Sequence, residues 1–461
     1  LILPESAECG QAAVEQDGRT MNKIFYAFSA MSPVEWAVLT AAAVMFHAIW
    51  IVSALRTNRL AFLTAASSVL YPLALSVTMP GYVALRVARF YVLCLLLTVG
   101  IFSIRPRAIN SMLLAAFAFC LYYTFGALWS DFPAEGLAYK AGSFLTTVTA
   151  GMLLATSLSH LDELAALNRF MVVAGFALLF VLVPDFGNMM QADADRWQPW
   201  GINPNGLGRN AAALLPFTYA AALFDPTKKW RLWAIGSSTA CGAIVILTGS
   251  RAAFLGAAAA IFFGTLPLLR KPAHLLALVT GIVLFLSPLF FFFQFDTVER
   301  LGDYKSTNRT NVWERAFYEY QKAPILGNGW YYTFDRFGDT RTTNAHSSYI
   351  QILVELGLVG ACAFLLLVIR LIVSVRGAFA HTVGHMAGRR LVWIATGWIV
   401  GYALISGFEN NLDILFPTLT VGFCIAVIGR LENSEDPLLV TAGVGTEHWR
   451  MGDSYAPALS S

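Results

Sequence analysis

Residues 344–360 read Asn344-Ala-His346-Ser-Ser-Tyr349-Ile-Gln-Ile-Leu-Val-Glu355-Leu-Gly-Leu-Val-Gly360. A polar mouth with one histidine and two serines passes directly into an apolar run that continues to residue 370. A run of that length predicts a helix entering a bilayer. Upstream lies a long polar and aromatic segment, about 294–346, reached from the hydrophobic run Gly281 to Phe293. It contains Arg309-Thr-Asn-Val-Trp313 and Pro324-Ile-Leu-Gly-Asn-Gly-Trp330. A loop of this size between greasy helices is where function is expected.

The rest of the chain fits that frame. It has 461 residues, 57% hydrophobic and 13% charged, with a mean hydropathy of +0.61. A soluble domain carries roughly 25% charge. The apolar runs are continuous rather than alternating, which predicts an all-α polytopic membrane protein and excludes an outer-membrane barrel. Runs of spanning length fall at about 34–54, 61–79, 87–103, 110–129, 140–159, 168–185, 206–225, 232–249, 252–269, 272–293, 347–370, 391–408 and 412–430, or about 12–13 transmembrane helices with one large periplasmic loop. Residues 1–20 lack the basic start and apolar core of a secretory signal. They are expected to be disordered or non-native, with Met21 as a plausible start. Residues 21–430 then form a single transmembrane domain, and 431–461 a disordered cytoplasmic tail.

Net charge is only +3 and points to no polyanionic partner such as nucleic acid. The basic residues cluster, however. Arg56/Arg59, Arg105/Arg107, Lys228/Lys229/Arg231, Arg270/Lys271 and Arg370/Arg376/Arg389/Arg390 fall on one side, assigned to the cytoplasm. Arg86 and Arg89 fall on the other unless the third span begins after them. The opposite face receives Trp129-Ser-Asp-Phe-Pro, residues 186–205, the turn Thr248-Gly-Ser-Arg251, the large loop and Glu409-Asn-Asn. The six cysteines are scattered, five of them in apolar runs, and read as small core residues.

Several polar residues need explaining. Arg251 stands between two apolar runs, as a snorkelling residue or as an anion ligand beside a helix start that Ser250 can cap. Arg309 opens an amphipathic pattern in which Trp313, Phe317 and Tyr320 share a face. It predicts a helix lying in the membrane interface, ended by Pro324 and turned by Gly327 and Gly329, with Arg309 and Arg315 at headgroup depth. His346 stands just before Ser347 and Ser348, either of which can cap the next helix. The positive end of a helix favours a neutral, proton-accepting ring. A purely structural histidine is the alternative. No second His or Cys stands at ligand spacing, so no metal is expected. Asn205 begins another outer helix, as a cap or as a ligand, with Arg209 one turn further on. Glu409 and Asp413 flank the last connection and are placed to pair with an arginine or to hold an acceptor hydroxyl.

Ser250-Arg251 opening a helix, Arg309-x-x-x-Trp313, Pro324-Ile-Leu-Gly-x-Gly and Ala-His346-x-x-Tyr349-x-x-x-x-x-Glu355-Leu-Gly-Leu-Val-Gly together resemble the O-antigen ligase and polymerase family of bacterial polytopic glycosyltransferases, over residues 200–370. One departure is His346-Ser347, where many members read His-Asn. The resemblance implies metal-independent, cofactor-free, inverting transfer of a glycan from undecaprenyl diphosphate at the periplasmic face of the inner membrane. It implies that Arg251 and Arg309 bind the donor diphosphate and that His346 sits at the reacting sugar as the catalytic base; Arg209 and Arg315, which match no motif of the family, are further candidates for the diphosphate. Asn205, Tyr349 and Glu409 are expected on the substrate. The acceptor is the growing exopolysaccharide or O-antigen chain for a polymerase, favoured here, or the lipid A core for a ligase. Membrane lipids, a chain-length regulator and a flippase of the same pathway are the further partners implied. A flippase or transporter would need polar groups through the spans, whereas here they gather at one face. A membrane O-acyltransferase would not need the arginine set.

Overall fold

In hydrocarbon a backbone must satisfy its own hydrogen bonds, so each long apolar run closes into helix. The computed structural model describes residues 58–73, 82–103, 108–130, 133, 142–158, 160–183, 197–266, 309–329, 345–383, 385–409 and 415–433, all within the unit Arg56–Ser461. The helices are α1 (Asn58–Leu73), α2 (Tyr82–Ser103), α3 (Ser111–Phe125), α4 (Gly142–Ser157), α5 (Leu161–Leu182), α6 (Pro204–Phe224), α7 (Lys228–Leu247), α8 (Arg251–Thr265), α9 (Arg309–Lys322), α10 (Ser348–His381), α11 (Met386–Phe408) and α12 (Leu415–Leu431). No strand occurs among the described residues. Every expected apolar run that falls among them is a helix. The runs at 34–54 and 272–293, the N-terminal segment, most of the large loop, Asp413 and the tail beyond 433 lie outside the described residues.

Five helices are long and apolar enough to cross a membrane: Ser111–Trp129, Asp162–Leu182, Lys228–Leu247, Ser348–His381 and Met386–Phe408. Phe180, Leu232 and Leu366 stand well exposed on three of these helices, as lipid-facing side chains do. The chain is thus an all-α, multi-pass membrane protein. α2 begins at Tyr82, so Arg86 and Arg89 lie inside it, and the Arg89 guanidinium sits 5.4 Å over the Tyr71 ring.

Where apolar lipid cannot drive helices together, small residues let backbones touch. A Cβ on Gly422 of α12 would stand 2.5 Å from the Val148 carbonyl of α4. On α11, Gly397 and Gly401 meet α8 at Ala260 and Gly256; a Cβ on Gly397 would lie 3.0 Å from the Ala260 carbonyl. This α8–α11 crossing is antiparallel. It brings the start of α8, with Ser250 and Arg251, to the end of the bundle where α11 finishes at Glu409.

α10 is longer than the apolar run predicts, and it is broken. Gly357 has φ 64° and ψ −160°, a conformation essentially restricted to glycine. The turn Pro324–Gly329 fills the break. Asn328 N donates to Val354 O (2.8 Å), Gly329 N to Glu355 O (2.9 Å), Leu358 N to Pro324 O (2.8 Å) and Val359 N to Ile325 O (3.1 Å). A side chain on Gly357 would collide with the Ile325 carbonyl, and one on Gly327 with the Glu355 carbonyl. The Pro-Ile-Leu-Gly-Asn-Gly and Glu-Leu-Gly motifs are therefore two halves of one joint.

Candidate functional site

α6 is capped by Asn203, whose side chain accepts from the backbone N of Asn205 (2.9 Å) and Gly206 (3.4 Å), with Pro204 in the first helical turn. The cap is thus Asn203, and the Asn205 amide is left for long-range work. Asn205 Nδ2 donates to Glu409 Oε1 at 3.1 Å, across 204 residues of sequence. Glu409 is 5% exposed, at the end of α11. Its other carboxylate oxygen lies 4.0 Å from His346 Nδ1, and its backbone carbonyl accepts from Ser348 Oγ at 3.2 Å. At 4.0 Å the His346–Glu409 interaction is electrostatic rather than a hydrogen bond. Glu409 therefore joins α6, α11 and the mouth of α10.

His346 has φ 50°, a left-handed conformation that costs a non-glycine residue about 1–3 kcal/mol. Its side chain is 38% exposed, open enough to meet a ligand. Ser347 is the N-cap residue of α10, without a side-chain cap bond, and the Ser348 hydroxyl donates to the Glu409 carbonyl.

The arginines take different places. Arg209 is 7% exposed, and its Nε donates to Asn205 O at 3.0 Å. Arg251 is half-buried at the first position of α8, which Ser250 caps through Ala253 N (3.4 Å). The turn Thr248–Ser250 is pressed against α6: a Cβ on Gly208 would lie 2.6 Å from Thr248 Oγ1 and 3.1 Å from Ser250 Cβ. Arg251, Arg209, Asn205, Glu409 and His346 are thus at one end of the bundle, in a continuous chain of contacts through α6. Arg309 is the first residue of α9, and its side chain lies outside the described residues. Arg315 is half-buried on α9, and among the described residues no hydrogen bond or ion pair joins it to this cluster.

α9 packs against the mouth of α10. Trp313 Nε1 donates to Ala345 O at 2.9 Å, and Ala316, Ala345 and Val354 form a small core joined by Tyr320 and Ile350. The aromatic face therefore divides, with Trp313 and Tyr320 turned to the mouth of α10 while Phe317 stays exposed.

Beside the cluster a cavity of about 130 Å³ lies among α3, α4, α10, α11 and α12. Its walls are almost wholly apolar, among them Phe119, Phe144, Phe364 and Ile425, while Ser348, Tyr349 and Ser406 border it near Glu409. Tyr349 gives its hydroxyl to Ala403 O (2.7 Å) and its ring to this wall. Among the described residues, no group of three or more His, Cys, Asp or Glu side chains forms a metal-ligand set.

Sequence reasoning passed over a second polar group. Gln351 and Glu355, 1% and 0% exposed, are hydrogen-bonded to each other, and Tyr123 of α3 donates to Glu355 at 3.0 Å. Two buried polar residues one turn apart in an apolar helix were the available signal.

A search of curated proteins finds no match. Residues 236–365 match the model of a protein family described as O-antigen ligase. That stretch holds the Ser250-Arg251 turn, α9, the Pro324–Gly329 joint and the His346 mouth of α10, the same residues that carry the sequence resemblance. Over this segment the chain is similar to the O-antigen ligase family.

Proposed function

We propose that the chain is a membrane glycosyltransferase of the O-antigen ligase/polymerase type, moving a glycan from undecaprenyl diphosphate to an acceptor hydroxyl at the periplasmic face. The observation that carries this reading is the convergence of Arg251, Arg209, Asn205, Glu409 and His346 at one end of the bundle, from four separate helices or their mouths. In this reading Arg251, Arg309, Arg209 and Arg315 face the diphosphate. Charge develops there as the glycosidic bond breaks, and guanidinium forks neutralise it without a metal. The acceptor oxygen attacks the anomeric carbon directly, which inverts it, and the hydroxyl proton passes to the His346 ring. Glu409, 4.0 Å from Nδ1, stabilises the cation that forms. Asn205 holds Glu409 in place, and Tyr349 shapes the apolar wall beside the sugar. The cavity beneath suits the hydrocarbon part of a lipid-borne substrate.

The test is turnover in detergent. Purified protein with lipid-linked donor and acceptor should release undecaprenyl diphosphate without a sealed membrane, and His346→Ala should not. Release that needs a sealed vesicle would instead indicate transport. We place polymerisation of exopolysaccharide or O-antigen repeats first. Ligation to a lipid A core is the second reading, favoured by the description of the matched family. A deletion strain separates the two. Single lipid-linked repeats mean polymerase, and full-length polymer stranded on its carrier means ligase.

A further inference from the structure

A chain of buried polar contacts on α10 ends on the residue that precedes His346. Glu355 is wholly buried, one helical turn below Gln351. A carboxylate accepts, so it draws the Gln351 amide nitrogen toward itself. That leaves Gln351 Oε1 facing outward, where it accepts the backbone N–H of Ala345 at 2.9 Å. The other Glu355 oxygen accepts from Tyr123 at 3.0 Å, fixing the carboxylate to α3. On the far side of the same residue, Trp313 of α9 donates to Ala345 O at 2.9 Å. Both backbone polar groups of Ala345 are therefore pinned, one from α10 and one from α9. The next residue is His346 at φ 50°. Such a conformation persists only where its surroundings over-determine it.

We infer that Glu355 and Gln351 are positioning residues, which hold the Ala345–His346 turn so that the imidazole stands beside Glu409. The inference rests on the reading that His346 is the functional side chain, and it assigns a task to the Glu355 of the motif. An apolar pair at these positions would pack without the cost of a buried carboxylate. The polar pair supplies what an apolar pair lacks, an acceptor aimed at one buried backbone N–H.

The experiment reads His346 directly. Full-length protein in detergent is treated with diethyl pyrocarbonate, and modification of the His346 peptide is followed by mass spectrometry. In Glu355→Ala the Gln351 amide loses the acceptor that orients it toward Ala345 N, and His346 is expected to react about fivefold faster than in wild type. Glu355→Gln keeps an acceptor oxygen for Gln351 and should stay within about twofold of wild type. Turnover should divide the same way in Glu355→Ala, with kcat down about tenfold and KM for the lipid-linked donor little changed. An unaltered His346 reaction rate in Glu355→Ala overturns the inference. If that variant does not purify, Gln351→Met, which keeps the volume and loses both hydrogen bonds, is read by the same criterion. Because modification needs no turnover, this result is separate from the His346→Ala assay. Loss of the catalytic reading would leave the positioning result standing, and the reverse.

Discussion

The two ends of the bundle use polar residues differently. At the end opposite His346, charges close on each other or on helix ends. Arg169 grips Asp225 through Nε (2.7 Å) and Nη2 (3.0 Å). Arg370 spans Glu432, Ser374 and Ser111, tying α3, α10 and the end of α12. Arg430, 1% exposed, puts Nη1 on the carbonyls of Ala155 and Leu158 and so closes the end of α4. At the His346 end, an amide holds a carboxylate, the carboxylate faces an imidazole, and the imidazole is 38% exposed on a strained backbone. The first arrangement spends its hydrogen bonds on fastening helices. The second keeps a titratable ring open to a ligand, and that contrast is the reason to place chemistry there.

The comparison breaks if residues at the open end prove dispensable. The largest effect is expected for His346→Ala, a loss of about 10²–10⁴-fold in product formation at normal expression, the range typical of a removed general base. Normal glycan chain lengths in that variant would return His346 to a structural role. Arg251→Lys follows, with about a hundredfold loss, because a point charge does not replace a bidentate fork at a diphosphate. Unchanged donor use there would make Arg251 a snorkelling residue after all.

Much of this was legible in the sequence, and the rest was not for definite reasons. The helices follow from hydropathy, because a lipid-exposed backbone has no alternative to helix. The gathering of Arg251, Asn205, His346 and Glu409 at one end followed from the basic clusters at the other. The break at Gly357 was hidden because it sits inside an unbroken apolar run, and its cause is a turn some thirty residues upstream. Pro324-Ile-Leu-Gly-Asn-Gly was readable as a turn, but not its destination. The Asn203 cap was available, since proline favours the first helical turn and the cap then precedes it. The Asn205–Glu409 bond was not, because no local rule links residues 204 apart.

Between the two ends, Gly357 offers a way to sharpen the contrast. Gly357→Ala places a Cβ against the Ile325 carbonyl at a φ of 64°. It should cost about 1–3 kcal/mol from backbone strain alone. The loss should appear as a lower melting temperature in detergent. The Pro324–Gly329 turn carries α9, and α9 holds Ala345 through Trp313, so product formation should fall beyond what the folded fraction explains. Activity that tracks folded protein alone would show that the joint does not reach His346.

The smallest effect belongs to the closed end. Arg370 and Glu432 are about a quarter exposed, with side-chain exposures of 26% and 24%. Pairs of that exposure contribute about 0.2–1 kcal/mol, because water screens them and two long side chains must be ordered. Arg370→Ala also gives up bonds to Ser374 and Ser111, so the upper part of that range is expected. It should lower the melting temperature slightly, weaken further at low salt relative to wild type, and leave kcat and donor KM unchanged. A selective fall in kcat at unchanged stability would mean that the far end of α10 speaks to His346 through the helix. The division between a fastening end and a reacting end would then have to be redrawn along α10 rather than across the bundle.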